Sequence, residues 1–114
     1  MGSDPFVLAV VNQKGGVGKT TTAVNLAACL AASERPTLLI DMDPQANASS
    51  AYGIAQAERQ VYDALVEGLP LTHCALETEL ETLHVVPAGR DLVGAEIELV
   101  TMENREYRLA QAIQ

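Results

Sequence analysis

The chain has 114 residues, of which 48% are hydrophobic and 4% aromatic, and its formal net charge is −8. A chain of this length can bury one modest core, built here mainly from aliphatic side chains. The acidic charge argues against a surface that binds nucleic acid or an anionic membrane, and no apolar stretch approaches the roughly 20 residues of a transmembrane helix. Without a signal-peptide pattern, we expect a cytoplasmic location and no membrane contact.

A glycine-rich segment lies between an apolar run and a helical pattern near the start of the chain. The run Phe6–Val11 predicts a strand, and apolar residues at helical spacing predict a helix that ends at Ser33–Pro36. Between them lie Lys14, Gly15, Gly16, Val17, Gly18, Lys19, Thr20 and Thr21. Glycines let backbone amides approach an anion, and a helix N-terminus adds partial positive charge. This order therefore predicts a phosphate-binding loop for a nucleoside triphosphate.

The residues at the end of this loop predict contacts to the triphosphate and its metal ion. Lys19 is placed to reach the β- and γ-phosphates, and Thr20, at the start of the helix, offers a hydroxyl to Mg²⁺. Thr21 contacts the α-phosphate or caps the helix. A glycine-rich turn with incidental lysines is the alternative, which the flanking strand and helix make the weaker one.

A second lysine distinguishes this loop from the usual pattern. Gln13 stands where that pattern begins with glycine, and Lys14 follows it. The segment Lys14–Thr20 resembles the deviant Walker A motif of the ParA/MinD group of P-loop ATPases. In that group the early lysine crosses a dimer interface to the phosphates of the partner, so the resemblance implies that Lys14 serves a second subunit.

Two aspartates follow the apolar run Thr37–Ile40, which predicts a buried strand. Ligands of open α/β sheets bind at this end of a strand. The segment Asp41–Asn47 is similar to switch I of chromosome- and plasmid-partition ATPases, which implies that Asp43 orients the attacking water and Asp41 supports the Mg²⁺ shell. The alternative is structural: Asp41 caps a turn, and Asp43 only precedes Pro44, which enforces extended backbone.

The rest of the chain predicts further alternation of helices and strands. Helices are expected near Ala51–Ile54, over Val61–Glu67 and, as one or two helices, over Asp91–Gln114; residues 76–82 predict a half-exposed strand or irregular edge, and Leu83–Pro87 a strand. The segment Leu83–Leu99 resembles the strand, loop and helix that follow in the same ATPases. Within it, Arg90 faces solvent or, less favoured, approaches a partner.

The two cysteines, Cys29 and Cys74, lack metal-like spacing. Both are expected to be reduced thiols, and Cys29 is expected to pack among the apolar residues of the first helix.

The resemblance implies the α/β class and a partial P-loop NTPase fold, a parallel sheet with flanking helices, over residues 6–114. Residues 1–5 resemble vector-derived sequence and receive no role. Members of the family are about twice this length, and no Walker B pattern follows residue 100, so we expect the N-terminal half, truncated before the Walker B strand. The missing neighbour strand predicts self-association as a homodimer or larger species, with domain swapping as one route.

The resemblance implies an ATP- and Mg²⁺-binding module of a ParA-type ATPase that acts in DNA partition. In the parent protein it implies hydrolysis of ATP to ADP and phosphate, non-specific DNA binding and a cargo-linked ParB-type partner, with weak or absent turnover in this chain.

Two alternative functions stay open. One is another deviant Walker A ATPase, such as a division-site positioning ATPase or a cobyrinic acid synthase. The other is a catalytically inactive oligomerising fragment that regulates full-length subunits.

Overall fold

The computed structural model describes residues 6–10, 19–54, 57–103 and 105–113, with the backbone alone at positions 19, 20 and 96. The helices are α1 (Lys19–Ala32), α2 (Asn47–Ala51), α3 (Val61–Val66), α4 (Asp91–Val100) and α5 (Arg108–Ile113), and the strands are β1 (Thr37–Ile40), β2 (Leu76–Glu77) and β3 (Leu83–Val86). Short 3-10 helices cover Leu71–His73 and Arg105–Tyr107. No helix in these ranges is long and apolar enough to span a bilayer.

The three described strands form one sheet in the order β1-β3-β2. β1 and β3 are parallel, with Thr37 opposite Leu83 and Ile40 opposite Val86. β2 is antiparallel to β3, so the predicted parallel sheet is mixed. The reason is the length of the connections. A long crossover that contains α2 and α3 joins β1 to β3 and permits a parallel pair. The turn at residues 78–82, which joins β2 to β3, is too short for a crossover, so these strands are antiparallel.

Helices cover both faces of the sheet, as the resemblance implies. On one face, Leu83 packs against Ala27 and Ala31 of α1. On the other face, Val86 joins a larger cluster that includes buried residues of α3 and α4. Leu83 and Val86 point to opposite faces because side chains alternate along a strand, and both are fully buried. β3 is therefore the central strand of the core.

Two helix ends are fixed by identifiable hydrogen bonds. The amides of Glu34 and Arg35 donate to the carbonyls of Ala31 and Leu30 at 2.9 and 3.0 Å, which is the Schellman pattern that ends a helix. This confirms the predicted end of α1. At the end of α3, the Arg108 guanidinium donates to the carbonyls of Leu65 and Val66 at 2.7 and 3.2 Å, so α5 caps α3.

The strand predicted for Phe6–Val11 is wrong over residues 6–10, which carry no strand pairing. Phe6, Val7 and Leu8 are 86%, 65% and 57% exposed. A strand needs a hydrogen-bonded neighbour, and within the ranges that the structure describes β1, β2 and β3 pair only with one another. Val11 lies outside the described residues.

Two smaller predictions are also wrong. The helix expected near Ala51–Ile54 is α2, which begins four residues earlier at Asn47, because a distant carboxylate accepts the amide of Ser49 in its first turn. Cys29 is exposed rather than packed among apolar neighbours, since it lies on the face of α1 away from the sheet. Residues 76–82 agree with the predicted strand or irregular edge: Leu76–Glu77 is the short strand β2, and residues 78–82 are irregular. The helices at Val61 and Asp91 begin where predicted.

Candidate functional site at the carboxyl edge of the sheet

The fold brings three chain segments to one edge of the sheet. α1 runs antiparallel to β1, because the short connection at residues 33–36 reverses the chain between them, so the start of α1 lies at the same end as the last residue of β1. The end of β3 lies there too, since β3 is parallel to β1. This is the edge at which open α/β sheets bind ligands.

The predicted phosphate-contacting residues divide between described and undescribed parts of the chain. Lys14, Gly15, Gly16, Val17 and Gly18 lie outside the described residues. The backbone of Lys19 and Thr20 forms the start of α1, as predicted. Thr21 is exposed in the same first turn. The helix N-terminus on which the phosphate prediction depends is therefore at the carboxyl edge of the sheet.

Asp41 follows β1 directly and is only 4% exposed. One carboxylate oxygen, Oδ1, accepts the amide of Asp43 at 3.0 Å. The other, Oδ2, accepts both the amide and the hydroxyl of Ser49, at 2.9 and 2.6 Å. The described residues thus fill three of about four acceptor positions, which leaves Oδ1 capacity for one more donor, such as a metal-bound water. The carboxylate also satisfies an amide in the first turn of α2.

Asp43 is half-buried and starts a tight turn. Its carboxylate accepts the amide of Gln45 at 3.0 Å, and its carbonyl accepts the amide of Ala46 at 2.8 Å. Ala46 has a positive φ of 58°, a left-handed conformation that is unfavourable for a residue with a side chain. Among the described residues, the amide of Gln45 is the one donor to this carboxylate, which leaves acceptor capacity of the kind that a group orienting water needs.

The acidic segment, residues 41–49, is tied to its surroundings at two points. The Ser49 hydroxyl accepts the amide of Ala88 at 3.2 Å, which links the segment to the loop after β3. The Tyr52 hydroxyl donates to the carbonyl of Val24 at 2.8 Å, which links the end of α2 to α1. Burial raises the pKa of the Tyr52 hydroxyl above its ordinary value of 10.0, which favours the protonated form that donates this hydrogen bond. These contacts hold the segment beside the start of α1.

A groove of about 840 Å³ lies between the acidic segment and the loop before α4. Its lining includes Pro44, Gln45, Gln60, Gly89 and Arg90. The side-chain carbonyl oxygen of Gln60 is buried and has no hydrogen-bond partner among the described residues. A Cβ at Gly89 would lie 2.6 Å from that oxygen, so glycine lets the Gln60 amide approach the backbone. Arg90 is exposed, which agrees with the favoured prediction that it faces solvent.

Sequence reasoning missed Ser49 and Ala88. Ser49 is 1% exposed and donates to Asp41, and Ala88 is 6% exposed and donates to Ser49. A serine among several small residues carries no local signal of burial. Within the described ranges, no group of three or more histidine, cysteine or acidic side chains is arranged as a metal site.

Comparison with known proteins gives a consistent result. A family model described as an AAA domain matches residues 6–114. The chain is 55% identical over 109 residues to the chromosome partitioning protein ParA of Myxococcus xanthus, covering 94% of this chain and 38% of that protein. It is 51% identical over 110 residues to the sporulation initiation inhibitor protein Soj of Bacillus subtilis, covering 95% of this chain and 44% of Soj. The chain thus spans less than half the length of these two relatives.

Two solved structures are also similar. Cobyrinic acid a,c-diamide synthase from Mycobacterium smegmatis, with a bound ATP analog and magnesium, has a TM-score of 0.85 and 35% identity over 90% of this chain and 43% of its own. A plasmid partition protein from Borrelia burgdorferi has a TM-score of 0.80 and 27% identity over 91% of this chain and 47% of its own.

Proposed function

Because the chain belongs to the AAA domain family that includes the ParA- and Soj-type partition ATPases, we propose that it is the ATP- and Mg²⁺-binding module of an ATPase for chromosome or plasmid partition. One observation carries the proposal: the start of α1, with Lys19 and Thr20, lies at the same sheet edge as the acidic segment. Backbone amides, a lysine and carboxylates at one edge suit a triphosphate and its metal ion.

In this proposal the start of α1 binds the phosphates. The free amides of the first helical turn and the positive end of the helix dipole favour an anion, and Lys19 adds a full charge for the β- and γ-phosphates. Thr20 contributes its hydroxyl to Mg²⁺, and Asp41 supports a metal-bound water through the remaining acceptor position of Oδ1. Bound Mg²⁺ would neutralise charge on the phosphate oxygens.

Asp43 is the residue proposed to orient the attacking water. Its backbone is fixed by the turn to Ala46, while its carboxylate keeps free acceptor positions. A water held by such a carboxylate is positioned for in-line attack on the γ-phosphate, and positioning supplies much of the catalysis in phosphoryl transfer. The proposed parent reaction is hydrolysis of ATP to ADP and phosphate.

The first test is a calorimetric titration of the chain with ATP and Mg²⁺, beside Lys19→Ala and Lys14→Ala variants. We expect saturable binding by the wild type and a loss of affinity of at least about 100-fold for Lys19→Ala, because a lysine that pairs with phosphate contributes several kcal/mol. Lys14→Ala should bind ATP with nearly wild-type affinity, because Lys14 is proposed to contact the nucleotide of a second subunit. Absence of wild-type binding contradicts the proposal, and equal losses in both variants contradict the division of roles.

Self-association, non-specific DNA binding and contact with a ParB-type partner are proposed for the parent protein by similarity to ParA and Soj. The structural similarity to cobyrinic acid a,c-diamide synthase supports a second candidate, a nucleotide-binding module of a synthase. Identity of 55% to ParA against 35% to the synthase favours partition. Cobyrinic acid added to the ATP titration separates the two, since only the synthase candidate predicts a change in ATP affinity.

A further inference from the structure

Ser49 is a buried polar residue that the proposed nucleotide chemistry does not use directly. It lies in the first turn of α2 and is 1% exposed. Its neighbour Ser50, on the same short helix, is exposed. The two serines are adjacent and have the same side chain, but only Ser49 is buried. A comparison of the two positions therefore separates the effect of the buried Ser49 hydroxyl from that of an exposed one.

The directions of the hydrogen bonds at Ser49 follow from the groups involved. The amide of Ala88 can only donate, so the Ser49 oxygen accepts it, at 3.2 Å. The single hydroxyl proton is then available for the Asp41 carboxylate, 2.6 Å away. A hydrogen bond to an ionised carboxylate is about twice as strong as one between neutral groups. The hydrogen bonds that run from the Ala88 amide through the Ser49 hydroxyl to the Asp41 carboxylate therefore have one direction.

This chain of hydrogen bonds closes the acidic segment on itself. Oδ2 of Asp41 holds Ser49 at the end of the segment, while Oδ1 holds the amide of Asp43 near its beginning. Ala46, between them, is kept in its left-handed conformation. A strained residue persists only where the surrounding contacts determine its conformation. The Ser49 hydroxyl is the contact that also attaches the segment to the loop after β3.

We propose that Ser49 is a positioning residue: acting through Asp41, its hydroxyl fixes the backbone of Asp43 relative to the loop that follows β3. The role of Asp43 in water orientation rests on the proposed function, whereas the hydrogen-bond chain does not. Replacing the hydroxyl removes the one acceptor that the described residues offer the Ala88 amide and one of their three donors to Asp41, so the segment gains alternative conformations.

The test compares the wild-type chain with Ser49→Ala and the matched control Ser50→Ala by amide hydrogen exchange in NMR, without nucleotide. Exchange at Asp43 and Ala88 is read relative to Cys74, whose buried amide donates to the carbonyl of Leu71 and takes no part in the hydrogen bonds of Ser49. We expect Ser49→Ala to speed exchange at Asp43 and Ala88 by at least about tenfold relative to Cys74, and Ser50→Ala to change it less than about twofold.

A uniform acceleration that includes Cys74 overturns the proposal, because it reports a loss of global stability only. Unprotected amides at Asp43 and Ala88 in the wild type overturn it without any variant.

A Mg²⁺–ATP titration of the same samples then tests whether the Ser49 hydrogen bonds affect the candidate nucleotide site. We expect Ser49→Ala to keep affinity within about threefold while the Asp43 amide resonance loses its wild-type response, and a loss above about tenfold overturns the positioning role. Absence of wild-type binding contradicts the proposed function and leaves the exchange result to decide on Ser49.

Discussion

At the scale of single residues, two positions in the described part of the chain combine a side chain with a positive φ. Glu34 has φ of 62° and Ala46 has φ of 58°. Glu34 occupies the position after α1 where a Schellman motif usually places glycine, and Ala46 precedes α2 inside the acidic segment. Each conformation costs about 1 kcal/mol for a residue with a Cβ. Glu34 lies at the end of α1, whereas Ala46 lies within the candidate site.

Replacing Glu34 with glycine should stabilise the protein. The left-handed conformation is free of strain for glycine, and this gain exceeds the larger entropy of the unfolded glycine chain, so we expect the free energy of unfolding to rise by roughly 0.5 to 1 kcal/mol. Urea denaturation followed by circular dichroism measures the change. Glu34→Ala is the control, because alanine keeps the Cβ and should give no stabilisation. Equal gains for glycine and alanine would point to the lost charge instead of the backbone.

The sequence predicted the residue types of the candidate site better than their environments. Asp41 and Asp43 follow a strand and precede proline, a pattern visible along the chain, and the structure places them at the carboxyl edge of the sheet. The burial of Asp41 was not predictable, because it depends on three donors from Asp43 and Ser49. The untested roles of Lys14 and Asp43 stay predictions.

At the scale of elements, a side-chain contact joins α3 to α4. The Tyr62 hydroxyl donates to the Glu98 carboxylate, 2.8 Å from each oxygen. This hydrogen bond, followed by desolvation and the charges of nearby carboxylates, raises the pKa of Tyr62 to about 12 from an ordinary value of 10.0. The protonated hydroxyl is favoured in the folded state, because only that form can donate to the carboxylate.

Because of the Tyr62–Glu98 hydrogen bond, the free energy of unfolding depends on pH in the alkaline range. The pKa is higher in the folded state, so the contribution of Tyr62 is fully present below pH 10 and is lost as the pH rises toward about 12. We expect Tyr62→Phe to remove this part of the pH dependence of the unfolding midpoint. Ultraviolet titration of the phenolate should show Tyr62 moving back toward its ordinary pKa in Glu98→Gln. An unchanged titration in that variant would contradict the assignment to Glu98.

At the scale of the whole molecule, exposed apolar side chains on β1 and α4 bear on association with another chain. Leu38 on β1 is 43% exposed, and β1 pairs only with β3 among the described strands. On α4, the residues Val93, Ile97 and Val100 are 64%, 76% and 58% exposed and lie at helical spacing. An unpaired strand edge and an exposed apolar stripe both favour association with another chain.

We expect the purified chain to self-associate, principally through the open edge of β1. Light scattering coupled to size exclusion should give a mass above that of one chain at micromolar concentration. Leu38→Lys should shift the mass toward the monomer, because a charged side chain on an edge strand opposes pairing. Ile97→Lys is the matched control on α4. A monomeric wild type in dilute solution would refute self-association, and a larger effect of Ile97→Lys would place the contact on α4.

The sequence alone determined the order of elements and the chemistry expected of the glycine loop, because helical periodicity, strand length and glycine spacing are local properties of the chain. It also determined the starts of α1, β1, α3 and α4. Only the tertiary structure decided that residues 6–10 pair with no strand, that Cys29 is exposed and that α2 begins at Asn47. The same holds for Ser49, whose hydroxyl joins residues 8 and 39 positions away. Such contacts depend on which segments the fold brings together, and a hydroxyl acquires its role only when burial removes water as the competing partner.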